Sequence, residues 1–218
     1  MNRRMLIGVM MLGTLAVASA LPALGTRRTE PMELLEALDS GTVEAVFYGN
    51  GDQSVRGRLR RGAFGPDEVY VAPGTQFWAQ QIQGQQQRQG MTTIGWVPID
   101  LSRRAYAYVE IPTACTNYNR PAPTRYDRMV PVPCPDRRMA AVSEYVGRVR
   151  PSRPAAQLAV WAIANDPPWD EVAEYLEDHA EGDTEQERAE VVAAYRAEAA
   201  ALMRRAGFDP ASFRIFRH

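Results

Sequence analysis

The hydrophobic pattern of this 218-residue chain changes its period once, and that change limits the folds open to it. Over residues 40–115 apolar and polar residues alternate, and turn signals such as Asn50-Gly51 separate the runs, which is typical of half-buried strands. Over residues 137–206 the apolar residues recur at helical spacing. A proline-rich stretch, residues 112–136, connects the two parts.

We therefore predict an α+β fold with an N-terminal antiparallel β-sandwich, Ig-like, or a small barrel, followed by a C-terminal bundle of about four helices. The last helix has the clearest start, because Thr184 and Glu187 have the spacing of a capping box. The predicted organisation is a β-sandwich domain over residues 26–136 and a helical region over residues 137–218. The sequence leaves open whether the two parts share one core or form two small domains.

The first 25 residues have the composition of a signal peptide. Arg3 and Arg4 precede residues 5–20, which carry no charge, and Ala18-Ser19-Ala20 has the small residues that signal peptidase requires. The alternative is an uncleaved anchor helix, since the run approaches the length of a bilayer span. We predict a cleaved signal peptide over residues 1–25, no membrane span after cleavage, and an extracytoplasmic location in the periplasm, the cell wall or the medium.

Composition excludes several kinds of chemistry. All 25 basic residues are arginine, so the chain has no lysine for a Schiff base or for a lysine–asparagine crosslink. With a net charge of −1 the chain offers no concentrated basic face, and we expect no nucleic-acid partner. The two histidines, His179 and His218, lack the spacing of metal ligands, and an acidic run over residues 177–187 lacks the order of a calcium loop. We predict neither a cofactor nor a metal.

The two cysteines, Cys115 and Cys134, flank most of the proline-rich stretch. In an oxidising compartment the first expectation is a disulfide between them. Closing a loop of this length would stabilise the fold by about 3 kcal/mol.

Gln157 is the lone polar side chain on a predicted helix, residues 155–164, that is otherwise apolar nearly all round. Such a helix is buried, and a buried carboxamide without a partner costs about 1–3 kcal/mol. One expectation is that Gln157 bonds a backbone group of the β region.

A second expectation for Gln157 comes from a resemblance. Gln157-Leu158-Ala159-Val160-Trp161 resembles the Gln-x-Ala-aliphatic-Trp motif of bacterial thioester domains in surface adhesins, and Ala114-Cys115-Thr116 is similar to their short cysteine motif. The resemblance implies that the Gln157 side chain is joined to Cys115, which generates an electrophile that captures a nucleophile on a host surface. Ala156 stands where that family usually has threonine.

Three functions remain open from the sequence. The first is a non-catalytic interaction module whose partner is a protein or glycan of the envelope or of a host surface. Aromatic residues that could line such a surface are concentrated in the β region: Phe77, Trp78, Trp96, Tyr106, Tyr108, Tyr118 and Tyr126. The alternative is a covalent adhesion domain with the Cys115–Gln157 thioester. The second alternative is a hydrolase of unfamiliar design, with Asp100, Glu110 and Asp127 in a cleft.

Overall fold

The computed structural model describes residues 30–81, 83–84, 86–104 and 106–217, so the predicted signal peptide over residues 1–25 lies outside the described residues. Within that part of the chain, nine strands precede four of the five helices. The strands are β1 (Met32–Glu33), β2 (Val43–Gly49), β3 (Ser54–Arg61), β4 (Glu68–Val71), β5 (Gln76–Ala79), β6 (Met91–Thr93), β7 (Val97–Asp100), β8 (Tyr106–Cys115) and β9 (Arg128–Val132). The helices are α1 (Leu34–Asp39), α2 (Arg137–Val149), α3 (Arg153–Ala164), α4 (Ala173–Asp178) and α5 (Glu185–Arg205).

Six strands form a closed barrel in the order β2-β3-β8-β6-β5-β9, with every neighbouring pair antiparallel. Along β3 the buried Val55 and Leu59 alternate with exposed arginines, as the period of two requires. The interior is filled by large side chains such as Phe47 and Phe77, whose rings meet edge to face with centroids 5.1 Å apart. The barrel interior is thus a packed core.

The remaining strands form a small sheet in the order β1-β4-β7. β1 pairs with β4 in parallel, and β4 pairs with β7 in antiparallel register. Its buried residues, among them Val69, Val71 and Ile99, join the same hydrophobic core as the barrel. The sheet therefore extends the barrel core and does not form a separate layer.

The predicted Ig-like β-sandwich is wrong. A sandwich has two facing sheets with free edges, whereas here β9 pairs with both β2 and β5 and closes the sheet on itself. Strand β9 lies inside the proline-rich stretch that we interpreted as a connection, and its Pro131 stands opposite Phe77. Alternation along single strands is the same in a sandwich and a barrel, so the pattern could not show closure.

The C-terminal part is helical in agreement with the sequence, and the capping box of Thr184 and Glu187 is formed at the start of α5. Helix α4 is short, because a 3-10 turn, Trp169–Glu171, precedes it. Helix α3 is central: residues 154–163 are all buried, and the helix packs on α2, α5 and β8. None of the helices in the described ranges combines the length and the apolar character needed to cross a membrane.

Two hydrophobic cores result, one inside the barrel and one around α3. The second core also takes in Ala114 of β8 and Ile94, from the β6–β7 connection. The boundary between the cores therefore runs between β8 and α3, through the pair of residues described next.

Candidate functional site

The last residue of β8 and the second turn of α3 meet at Cys115 and Gln157. The Cys115 backbone N–H donates to Gln157 Oε1 at 2.9 Å, and Gln157 Nε2 donates to the Cys115 carbonyl oxygen at 2.7 Å. Gln157 is only 2% exposed, so both bonds are made away from water. The buried carboxamide thus satisfies two main-chain groups at the end of β8, where strand pairing stops.

Trp161 follows Gln157 by four residues, so its indole lies on the same face of α3. The rings of Tyr118 and Tyr175 meet the indole edge to face, at centroid distances of 6.4 and 4.8 Å. His179 packs against Tyr175 at 4.2 Å. Together with Cys115 and Gln157, these four aromatic residues line one cavity.

A cavity of about 260 Å³ opens beside the contact. We name it the barrel–helix cavity; its lining includes Asp52, Gln89, Cys115, Gln157, Trp161 and Tyr175. Trp161 Nε1 and Gln89 Oε1 are buried and have no hydrogen-bond partner among the described residues. Burial raises the pKa of Tyr175 to about 12, so its hydroxyl remains protonated at neutral pH. The cavity therefore offers neutral hydrogen-bonding groups beside the carboxylates of Asp52 and Glu171.

An ion pair joins Asp52 of this lining to the start of α3. Arg153 Nη2 lies 2.8 Å from Asp52 Oδ2 and donates to the Asp52 carbonyl oxygen at 2.6 Å. Asp52 belongs to the turn between β2 and β3, while Arg153 is the first residue of α3. The pair therefore fixes the start of α3 against the barrel, close to the Cys115 thiol.

The Cys115 sulfur is held in the barrel core. Its Sγ lies 3.7 Å from Met91 Sδ and 3.8 Å from the Asp52 carbonyl oxygen. Burial raises the pKa of this thiol to about 12; the Asp52 carboxylate adds to the rise and the Arg153 guanidinium opposes it. Cys115 is therefore a protonated thiol at neutral pH.

The predicted Cys115–Cys134 disulfide is not formed in the structure, where both residues are free thiols. Cys115 packs in the barrel core, whereas Cys134 packs against the helical core. The Cys134 thiol donates to the Asp136 carbonyl oxygen at 3.1 Å, beside the start of α2. The two thiols thus belong to different packing environments.

The three acids of the hydrolase hypothesis do not converge. Asp100 accepts from the Ser102 N–H, Glu110 accepts from Ser54, and Asp127 accepts from the Thr124 N–H. Each carboxylate thus caps a turn or bonds a neighbouring strand. The acidic run over residues 177–187 is mostly exposed, and the described residues contain no His, Cys, Asp and Glu cluster that could hold a metal ion.

Sequence reasoning missed several residues of the cavity. His179, for which the sequence predicted no role, lines it, and its Nδ1 donates to the Tyr175 carbonyl oxygen at 2.6 Å. In the neutral ring this bond leaves Nε2 as the basic nitrogen. Asp52 and Arg153 carry no sequence signal, because they come together only through the fold.

The chain matches no protein-family model, no curated protein and no solved structure. What bears on its function is the geometry of the barrel–helix cavity. That geometry places Cys115 and Gln157, which are 42 residues apart in the chain, in direct contact.

Proposed function

We propose that this chain is an interaction module that captures its partner covalently, through an internal thioester between Cys115 Sγ and Gln157 Cδ. The observation that carries the proposal is the pair of hydrogen bonds by which the Gln157 carboxamide lies across the main chain of Cys115. The free thiol and carboxamide of the structure are then the precursor state. An extracytoplasmic setting, as the first 25 residues predict, belongs to this proposal.

The geometry suits the reaction. Gln157 Cδ is bonded to both atoms that contact Cys115, so this carbon lies against the Cys115 backbone. Cys115 Sγ is two bonds from its own Cα and lies 3.7 Å from Met91 Sδ, so the reaction requires a rotation about the Cα–Cβ bond that brings the sulfur to Cδ. Proximity in a dry site is what such a step needs, since reacting atoms must approach to about 3–3.5 Å.

The atoms balance without an oxidant or cofactor. The sulfur attacks Cδ, a C–S bond forms, the C–N bond breaks, and the amide nitrogen leaves as ammonia with the thiol proton. In capture, a nucleophile of the partner bonds to Cδ, the C–S bond breaks, and the nucleophile's proton returns to the sulfur. The product is a partner joined covalently to residue 157 and a free Cys115 thiol.

The same environment would make the thioester persist in water. A thiolate leaves more slowly when the pKa of its thiol is higher, and burial raises the pKa of Cys115 to about 12. Cys115 and Gln157 are also each only 2% exposed, which limits the access of water. Both effects favour survival of the bond until a well-placed nucleophile enters the cavity.

The second candidate is the non-catalytic interaction module, with a ligand bound reversibly in the barrel–helix cavity. It is favoured by the complete satisfaction of Gln157, whose two polar atoms both bond the backbone of Cys115. In that case Gln157 has a structural role only. The buried Trp161 Nε1 and Gln89 Oε1 would bond the ligand.

Intact-mass measurement of the non-reduced protein separates these states. We expect the mass to fall short by one ammonia of the mass calculated for the mature chain, and methylamine to add to the protein at Gln157. Cys115→Ala should abolish both effects. The matched control, Cys134→Ala, removes the other thiol and should keep both.

A mass short by two hydrogens would instead identify the Cys115–Cys134 disulfide. The full calculated mass of the mature chain, with two thiols that react after unfolding, would contradict the thioester and leave reversible binding as the function.

A further inference from the structure

A second and larger cavity, of about 510 Å³, lies on the other side of the first turns of α3. Its lining comes from the end of β8, from the connection between β6 and β7, and from the junction of α2 and α3. We name it the α2–α3 cleft. Its volume falls within the roughly 300–1,000 Å³ of small-molecule sites.

The cleft presents an exposed indole. Trp96 is 57% exposed, and its ring contacts Tyr70 at a centroid distance of 5.5 Å, which supports it from one side. A large aromatic side chain held in place and open to solvent at the rim of a cavity is a platform for a flat apolar surface.

The cleft also presents an uncompensated charge. Arg150 ends α2 with a left-handed backbone, φ 51°, a conformation that is unfavourable for residues other than glycine and asparagine. Its guanidinium makes no hydrogen bond or ion pair with any described residue, whereas Arg153 in the same lining is neutralised by Asp52. No described Asp or Glu lines the cleft. Because Arg150 is exposed in the lining of the cleft, its charge is available to an anionic ligand there.

The neutral polar groups of the cleft come from side chains. Thr113 is 1% exposed, and its Oγ1 has no hydrogen-bond partner among the described residues. The nearby main chain is already used, because the Thr113 N–H donates to Gln53 and the Ile94 N–H donates to Pro112, both at 2.9 Å. A peptide that adds as a strand would therefore find no free edge at these residues.

We propose that the α2–α3 cleft binds an acidic saccharide. The C–H face of a sugar ring packs on Trp96, the carboxylate binds Arg150, and a ring hydroxyl bonds Thr113 Oγ1. This site goes beyond the proposed thioester and does not require it. Gln157 lines both cavities, so a bound saccharide would lie next to the capture site.

Titration calorimetry of the full chain with a trimer of galacturonic acid tests the proposal, with the neutral maltotriose beside it. We expect the acidic trimer to bind at least about tenfold more tightly than maltotriose, since a hydrogen bond to a charged group is worth that factor or more. Arg150→Asn should remove this preference, and asparagine tolerates the left-handed backbone, so the fold is kept. Trp96→Ala should weaken both sugars.

Arg58→Gln is the matched control, because Arg58 is an exposed arginine on β3 away from the cleft, and it should bind as the unaltered chain does. Cys115→Ala should also bind normally, which separates this site from the thioester. Equal affinity for the two trimers, affinity unchanged in Arg150→Asn, or no binding would overturn the proposal. Equally tight binding of a glutamate oligomer would identify the cleft as an acidic-peptide site instead.

Discussion

At the scale of single residues, Gln157 decides how the barrel and the helices are joined. It is the only polar side chain among the buried residues 154–163 of α3, and it satisfies the N–H and the C=O of Cys115 together. Without it, two main-chain groups would be buried without partners next to an apolar helix. The stability of the junction therefore depends on a group that both donates and accepts.

Gln157→Glu should make stability depend on pH, in a Cys115→Ala background in which no thioester can form. A protonated carboxyl at residue 157 can accept from the N–H of residue 115 and donate to the C=O of residue 115. A carboxylate can accept from the N–H but cannot donate to the C=O. Burial raises the pKa of the introduced carboxyl above its unfolded value of about 4.3. Its contribution is therefore complete below that value and is lost as pH rises through the folded pKa.

We expect urea unfolding at pH 4 to give nearly the stability of the parent, and at pH 8 a loss of about 2–4 kcal/mol. Gln81→Glu, at an exposed position, is the control and should change little at either pH. A deficit that is the same at both pH values would show that Gln157 does not bond the backbone in this way.

At the scale of elements, α2 approaches the β6–β7 connection at a pair of glycines. A Cβ built on Gly147 would lie 2.2 Å from Gly95 Cα and 2.6 Å from Gly95 N. Gly95 itself has φ 74°, a backbone conformation that favours glycine, so the connection cannot easily shift to relieve the clash. The Gly95 N–H donates to the Ser143 carbonyl at 3.0 Å and fixes the contact.

Gly147→Ala should therefore destabilise the protein, although alanine is better than glycine inside a helix by about 1 kcal/mol. The clash requires α2 to move away from the connection, and we expect a net loss of about 1–3 kcal/mol. Thermal and urea unfolding measure it. Glu144→Ala, at an exposed position of the same helix, should instead be neutral or slightly stabilising. A gain in stability from Gly147→Ala would mean that the two backbones are farther apart than described.

The sequence predicted much at this scale, because α5 and α3 are specified locally. The capping box and the apolar period of these helices depend on residues within one or two turns. That Gln157 bonds a backbone group was also among the expectations, since a buried carboxamide must find a partner. The partner itself could not be read, because it depends on how β8 and α3 pack. For the same reason barrel closure by β9, and the meeting of Asp52, Arg153 and His179 at one cavity, left no local pattern.

At the scale of the whole molecule, the barrel core and the helical core are packed against each other and are not separate domains. Helix α3 belongs to the helical core, yet it packs on β8, and its first residue is paired with Asp52 of the β2–β3 turn. Ala114 of β8 packs in the helical core. Separating the parts after residue 136 would therefore expose apolar surface on both sides.

The barrel and α3 should consequently unfold together. In native-state hydrogen exchange we expect the slowest amides of β3 and of α3 to share one free energy of opening, as members of one cooperative unit. The amides of α4, a short helix with few buried residues, should open at lower cost and serve as the internal control. Two clearly different values for β3 and α3 would show that each part folds by itself.

The closure of the barrel also determines the order in which the parts of the fold can form. Strand β2 ends at Gly49, but its second neighbour, β9, begins only at Arg128, and the covering helix α3 comes later still. A chain made from its amino end therefore carries β2 without its second neighbour until β9, Arg128–Val132, has been made. Contacts between such distant residues form slowly, because the loop between them must first be ordered. The Cys115–Gln157 contact is among the late ones, so the chemistry proposed for it can begin only in a chain that is almost completely folded.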